Sequence, residues 1–239
     1  MNAQHFLIMG IPAVVALSGG VLAAFWTPGH ATRSLIQHFA AGVVLAALAV
    51  ELLPEIEREH APGLVLAGAF ALGSLFMYAL KLWTMRMEHA ANLTGSSEGL
   101  SKGLLIATFI DVATDGFIIG AGFAAGGETG TILALGLSVE LLFLGLALTS
   151  GANAGWRIVA ISGALGVTVL VFSVLGNVLL SGASHAVIGG TLAFSAAALL
   201  YLVTEELLME AHEVEEKPVS TLVLFGGFLT FWSIQLMGK

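Results

Sequence analysis

FIDVATDGFIIGAGFAAG, residues 109–126, sets two aspartates four positions apart in an otherwise apolar run. Residues four apart share one face of a helix. Asp111 and Asp115 therefore face the same way, inside a segment whose other residues suit lipid. The chain around them has the same character. It is 57% hydrophobic and 10% charged, with a mean hydropathy of +0.97. A soluble domain carries about a quarter charged residues. About 20 apolar residues carry a helix across the hydrocarbon core of a bilayer. Eight windows meet that test: about 5–26, 33–56, 63–86, 101–125, 129–150, 157–180, 185–209 and 219–237. The alternating pattern of an outer-membrane barrel is missing. Lipid then leaves the helix as the way to satisfy the backbone. The expected fold is all-α: one polytopic membrane domain over 1–239 with eight transmembrane helices.

The start of the chain reads as the first span. It has no Lys or Arg ahead of its apolar run, and that run is long for the core of a signal peptide. There is no cysteine, so disulfides and thiolate metal sites are excluded. The net charge of −8, with no basic patch, argues against a nucleic-acid partner. Lys and Arg favour the cytoplasmic side of a membrane. Arg33, Lys81, Arg86, Lys102, Arg157 and Lys217 fall at alternate connections, against Arg58 and Lys239 on the other side. The bias places both termini outside the cytoplasm. The longest connection, about 87–103, is rich in Ser, Gly and Asn and reads as a mobile loop. APG (61–63), GGETG (126–130), SGANAG (150–155) and SGASH (181–185) read as turns. Gly116, Gly120, Gly122 and Gly126 form small-xxx-small pairs, which let helices approach closely in lipid.

Other acids lie within or near the spans. Glu140 sits mid-way along the fifth and Glu51 in the second, with Glu55, Glu57 and Glu59 behind it. Glu205, Glu206 and Glu210 close the seventh. An ionised carboxylate at mid-bilayer costs at least a few kcal/mol, so such residues face a partner or a polar cavity. No Lys or Arg lies at mid-membrane, Lys81 being close to a helix end. The acids of the spans thus have no fixed cation, and a mobile one, a divalent metal ion or protons, is the expected partner. Glu57 and Glu59 read as a wetted helix end, as do Glu205 and Glu213. His5, His30, His60, His89 and His185 read as surface residues, while His38 and His212 are candidates for an entrance or exit. The candidate metal ligands are Asp111, Asp115 and Glu140, with Glu51 and Glu206 as possible additions.

With these residues in view, the chain resembles the ZIP (Zrt-, Irt-like) family of divalent metal transporters along nearly its whole length. HFAAGVVLAALAVELLPEIE (38–57) is similar to the family's second span in its small-residue start and later Leu-Pro element. The family's fourth span carries His-Asn-x-Pro-Glu-Gly. DVATDG (111–116) matches it with Asp111 for the His, Val112 for the Asn, Thr114 for the Pro and Asp115 for the Glu, keeping Gly116. In the fifth span ELLFLG (140–145) puts Glu140 at the first ligand position, with Leu141 and Leu144 where acids are usual. In the seventh, Glu205 stands for a His and Glu206 keeps the Glu. The resemblance implies a ZIP-like bundle in the cell (inner) membrane, a homodimer, no prosthetic cofactor, and a divalent metal (Zn, Mn, Fe or Cd) as substrate carried toward the cytoplasm. It also implies that spans 1, 4, 5 and 6 move against the other four. Val112, Leu141 and Leu144 would leave one metal position where the family often has two. An all-oxygen set leans toward Mn²⁺, Fe²⁺, Mg²⁺ or Ca²⁺ relative to Zn²⁺. Three other readings stay open: a proton-coupled carrier of another solute, a transport-dead metal sensor, and an intramembrane metalloenzyme, for which the paired histidines of HExxH are missing.

Overall fold

The computed structural model describes residues 3–26, 28–93, 102–147, 155–211 and 218–237. Eight long helices are present among them, each apolar enough to cross a membrane. They are α1 (Ala3–Phe25), α2 (His30–Arg58), α3 (Gly63–Leu93), α4 (Lys102–Ala125), α5 (Gly127–Ala147), α6 (Trp156–Leu180), α7 (185–211) and α8 (Pro218–Met237). No strand occurs among the described residues, and the all-α polytopic reading holds.

Several connections are tighter than the sequence suggests. α3 continues through Leu93, so the first part of the 87–103 segment is helical; residues 94–101 lie outside the described residues. Gly126 alone separates α4 from α5, which folds this pair into a close antiparallel hairpin. α6 turns into α7 through Gly182, whose φ of 80° lies in the left-handed region that glycine enters without a Cβ penalty. At the end of α2, His60 takes a φ of 49° and its Nδ1 lies 2.6 Å from the Arg58 carbonyl oxygen. That contact satisfies one of the carbonyls a helix leaves open at its C-terminus. Of the SGANAG turn, residues 150–154 fall outside the described residues, as do His212, Glu213, Lys217 and Lys239.

Two helices are interrupted by single π turns, at Leu48–Leu52 in α2 and Val203–Leu207 in α7. Such turns put the chain one residue out of α register and occur often at functional positions. In α2 a cause is visible. Pro54 has no N–H to offer the Val50 carbonyl four residues back. Gln235 Nε2 of α8 donates to that oxygen instead, at 3.2 Å.

The eight helices pack as two sets of four. α1 packs on α5 and α6, and α4 on both α5 and α6. The second set pairs α2 with α8, α3 with α7, and the end of α2 with α7. The sets meet where α2 touches α5, α3 touches α4, and α4 touches α7. Within each set glycines let backbones meet. A Cβ at Gly116 would sit 2.5 Å from the Val169 carbonyl oxygen, and one at Gly120 would overlap that of Ser173, both on α6. Gly166 of α6 meets Ala13 of α1, and Gly19 of α1 meets Leu142 of α5. Gly42 of α2 and Gly227 of α8 each press on the other helix's backbone, and Gly73 of α3 on Phe194 of α7. The small-xxx-small reading of α4 is therefore a packing reading, and α6 is the partner. Gly120→Ala is expected to lower stability by about 1–3 kcal/mol through overpacking. Gly226→Ala, where a Cβ meets nothing within 4 Å, should leave it unchanged or slightly higher. Thermal unfolding of the detergent-solubilised protein measures both.

Candidate metal centre

The α4–α5 hairpin carries the acids that opened the sequence reading. Asp111 and Asp115 lie before the Gly126 turn and Glu140 after it. At 1.5 Å of rise per residue all three stand roughly 17–23 Å from the turn, deep in the span. The antiparallel pairing brings them to one level. Each offers one carboxylate oxygen, and these oxygens all lie within 4.8 Å of one another. Asp115 is 2% exposed and Glu140 6% exposed, while Asp111 is half-buried. The neighbours in sequence are apolar: Val112 and Leu141 are fully buried and Leu144 packs against the core.

Three negative oxygens at this spacing in a low-dielectric interior repel one another strongly. A divalent ion removes the repulsion if the distances allow it. Oxygens bind Ca²⁺ at 2.3–2.6 Å and Mg²⁺ at 2.0–2.1 Å. Opposite ligands on the first ion are therefore about 4.6–5.2 Å apart, and on the second about 4.0–4.2 Å. A separation of up to 4.8 Å accepts a larger hard cation as it stands, and a smaller one after an inward shift of a few tenths of an ångström. The cluster has the composition and geometry to hold a metal ion.

The two additional ligand candidates fare differently. Glu51 is 6% exposed, but it is not part of the three-carboxylate cluster. Both its oxygens are engaged elsewhere: Thr129 Oγ1 of α5 donates to Oε1 at 2.9 Å, and Gln235 Nε2 of α8 to Oε2 at 3.1 Å. The backbone of Glu206 lies in the π turn of α7, and its side chain, like that of Glu210, is outside the described residues.

Further acids of α2 also have protein partners. Glu55 accepts from the Arg58 guanidinium at 3.0 Å, three residues on. Glu59, expected as a wetted helix end, is only 7% exposed and lies 2.7 Å from His185 Nδ1 at the start of α7. A Cβ at Gly189 of α7 would sit 3.2 Å from the Glu59 Cβ and 3.0 Å from that of Ala61. Glu57 is exposed, as expected. His38, considered for an entrance, is instead buried at 3% exposure, with Nδ1 2.8 Å from the Ser34 carbonyl oxygen. His5 is not a bare surface residue either: its ring packs on Phe123 with centroids 5.1 Å apart.

Sequence reasoning missed Thr129 and Gln235. Gln235 carried a signal, being a lone amide in the apolar run FWSIQLM, whereas Thr129 sat unmarked in a turn-like GGETG. No protein-family model matches the chain, and no curated protein matches it.

Hydrogen bonds to a charged group contribute about 1.5–3 kcal/mol. Thr129→Val is expected to lower stability by about that amount, because it strips a donor from buried Glu51. Thr131→Val removes only a hydroxyl bonded to the Gly127 carbonyl of its own helix and should cost less than about 1 kcal/mol. Chemical unfolding of the two variants side by side gives the difference.

Proposed function

We propose that the protein is a secondary transporter that carries a divalent metal ion through the bilayer, with Asp111, Asp115 and Glu140 as its ligands. The observation that carries this reading is the convergence of three carboxylate oxygens within 4.8 Å, deep in a bundle of eight apolar helices. A cluster of acids at that depth costs several kcal/mol unless a cation or protons meet it. An ion drawn from solution binds the three converging oxygens, and waters complete its shell.

The resemblance to the ZIP family supports the same reading. It adds import toward the cytoplasm, a homodimer, and both termini on the non-cytoplasmic side of the cell membrane. Glu206, conserved in type in that resemblance, is retained as a possible additional ligand; Glu51, held by Thr129 and Gln235, is not. The oxygen donors favour Mn²⁺, Fe²⁺, Mg²⁺ or Ca²⁺ relative to Zn²⁺. The packing is compatible with movement of α1, α4, α5 and α6 as a unit, since both metal-bearing helices belong to that set. The metal is cargo rather than a resident cofactor, and the protein is a carrier rather than a catalyst.

Metal binding requires deprotonated carboxylates, so affinity falls as the pH drops through their titration. The test is uptake by proteoliposomes loaded with a metal-sensitive dye. Asp115→Ala should reduce Mn²⁺ flux to that of empty vesicles, while Glu57→Ala should match the wild type, because Glu57 lies exposed at the end of α2. Equal flux from the two variants overturns the proposal. Calorimetry that finds no binding of any divalent ion points instead to a proton-coupled carrier of another solute.

A further inference from the structure

The buried Thr129–Glu51 hydrogen bond joins α5 of one helix set to α2 of the other. Gly136, seven residues further along α5, faces Ala47, four residues back along α2. The two helices therefore run antiparallel through this contact. Glu51 sits inside the π turn Leu48–Leu52, and such turns recur at functional positions.

Glu55 lies about one turn further along α2, roughly 6 Å on. It is buried, at 8% exposure. Arg58 occupies its Oε2, while Oε1 takes no hydrogen bond among the described residues. A Cβ at Gly126 would sit 3.9 Å from Glu55 Oε1 and 3.9 Å from Thr129 Oγ1, with no other atom closer. The open Glu55 oxygen thus faces the start of α5, one turn ahead of Thr129. Thr129 stands beside two carboxylates stacked on α2 and is bonded to one of them. Each carboxylate also has a partner within its own helix set: Gln235 for Glu51 and Arg58 for Glu55. Neither is stripped of all its donors if the Thr129 hydroxyl passes from one to the other. Packed helices exchange contacts by one-turn steps of about 5.4 Å. A step of that size, moving α5 toward its Gly126 end, brings Thr129 level with Glu55.

We propose that Thr129 is a two-position latch between the helix sets. It holds α5 to α2 through Glu51 in the present register, and through Glu55 after the set that bears the carboxylate cluster has shifted by one turn. This rests on the carrier reading, because a carrier presents its site in two arrangements.

The chain has no cysteine, so Phe25→Cys and Leu64→Cys take spin labels without competing thiols. Both positions are exposed, on α1 of one set and α3 of the other. Leu64 follows the end of α2, at the Gly126 end of the bundle, and Phe25 closes α1 at the opposite end. A one-turn shift changes their separation by up to about 5 Å. Pulsed electron paramagnetic resonance on the full-length protein in nanodiscs, with EDTA and with Ca²⁺, is expected to resolve two distances. Glu55→Met touches no contact that Thr129 makes in the present register. It should lower the shifted-to-unshifted ratio about tenfold, the worth of one hydrogen bond to a carboxylate. In Thr129→Val, which lacks the hydroxyl in either register, adding Glu55→Met should leave the ratio unchanged. Thr129→Ser, which keeps the hydroxyl, should restore the response. A single distance under both conditions overturns the proposal. So does a Glu55→Met effect that persists at full size in Thr129→Val. Calorimetry with Ca²⁺ on the same labelled protein separates the two readings: binding alongside a single distance removes the latch and leaves the carboxylate centre standing, whereas two distances without binding keep the latch and remove the metal.

Discussion

A carboxylate carried into hydrocarbon has to be met by hydrogen-bond donors, by a proton or by a cation, and this constraint organises the bundle. The structure meets it in two different ways. Along α2 the acids are matched from within the protein: Glu51 by Thr129 and Gln235, Glu55 by Arg58, Glu59 by His185. These contacts tie α2 to α5, α7 and α8 and have the character of structural joints. On the α4–α5 hairpin one oxygen from each of three acids converges within 4.8 Å. Like charges so grouped repel one another. Such a group has the composition to hold a cation.

The arrangement of glycines bears on how the two helix sets are held. The backbone-to-backbone approaches, at Gly19, Gly42, Gly73, Gly116, Gly120, Gly166 and Gly227, fall inside one helix set or the other. Where the sets meet, Gly136 of α5 faces the side chains of Ala47 and Phe231. Helices locked through glycine contacts cannot slide without losing dense packing, because interiors tolerate few voids. Surfaces built of side chains can exchange one set of contacts for another at lower cost. Glycine contacts thus pack each set closely, while the seam is built of side-chain contacts, the buried Thr129–Glu51 hydrogen bond among them. The carboxylate cluster belongs to one set only.

Much of this was legible in the sequence, and the limits have physical reasons. Span positions followed from hydropathy because a bilayer imposes both length and composition on a helix. The level match of Asp111, Asp115 and Glu140 followed from their depth in adjacent spans joined by a short turn. Glu59 was misjudged because distance from the span centre was taken for exposure. Gly189 and His185 of α7 meet it, His185 from 126 residues later, a tertiary event with no local signature. Grouping Glu51 with the metal ligands rests on depth in the span, and depth does not show that Thr129 and Gln235 engage both its oxygens. The donors sat on α5 and α8, in stretches where a threonine and a glutamine attracted no chemical reading.

Pro54 shows how a single covalent constraint propagates through these levels. Its missing N–H opens the Val50 carbonyl, and the π turn at Leu48–Leu52 carries that oxygen and Glu51 on the same short stretch. One amide hydrogen-bond donor, Gln235 Nε2, then serves both acceptors, which fixes the rotation of α8 against α2. The reciprocal glycines Gly42 and Gly227 bring the two backbones close enough for so short a reach. The joint between α2 and α8 at this level thus follows from the proline four residues beyond Val50, and a residue at position 54 with an N–H would compete with Gln235 for the Val50 carbonyl.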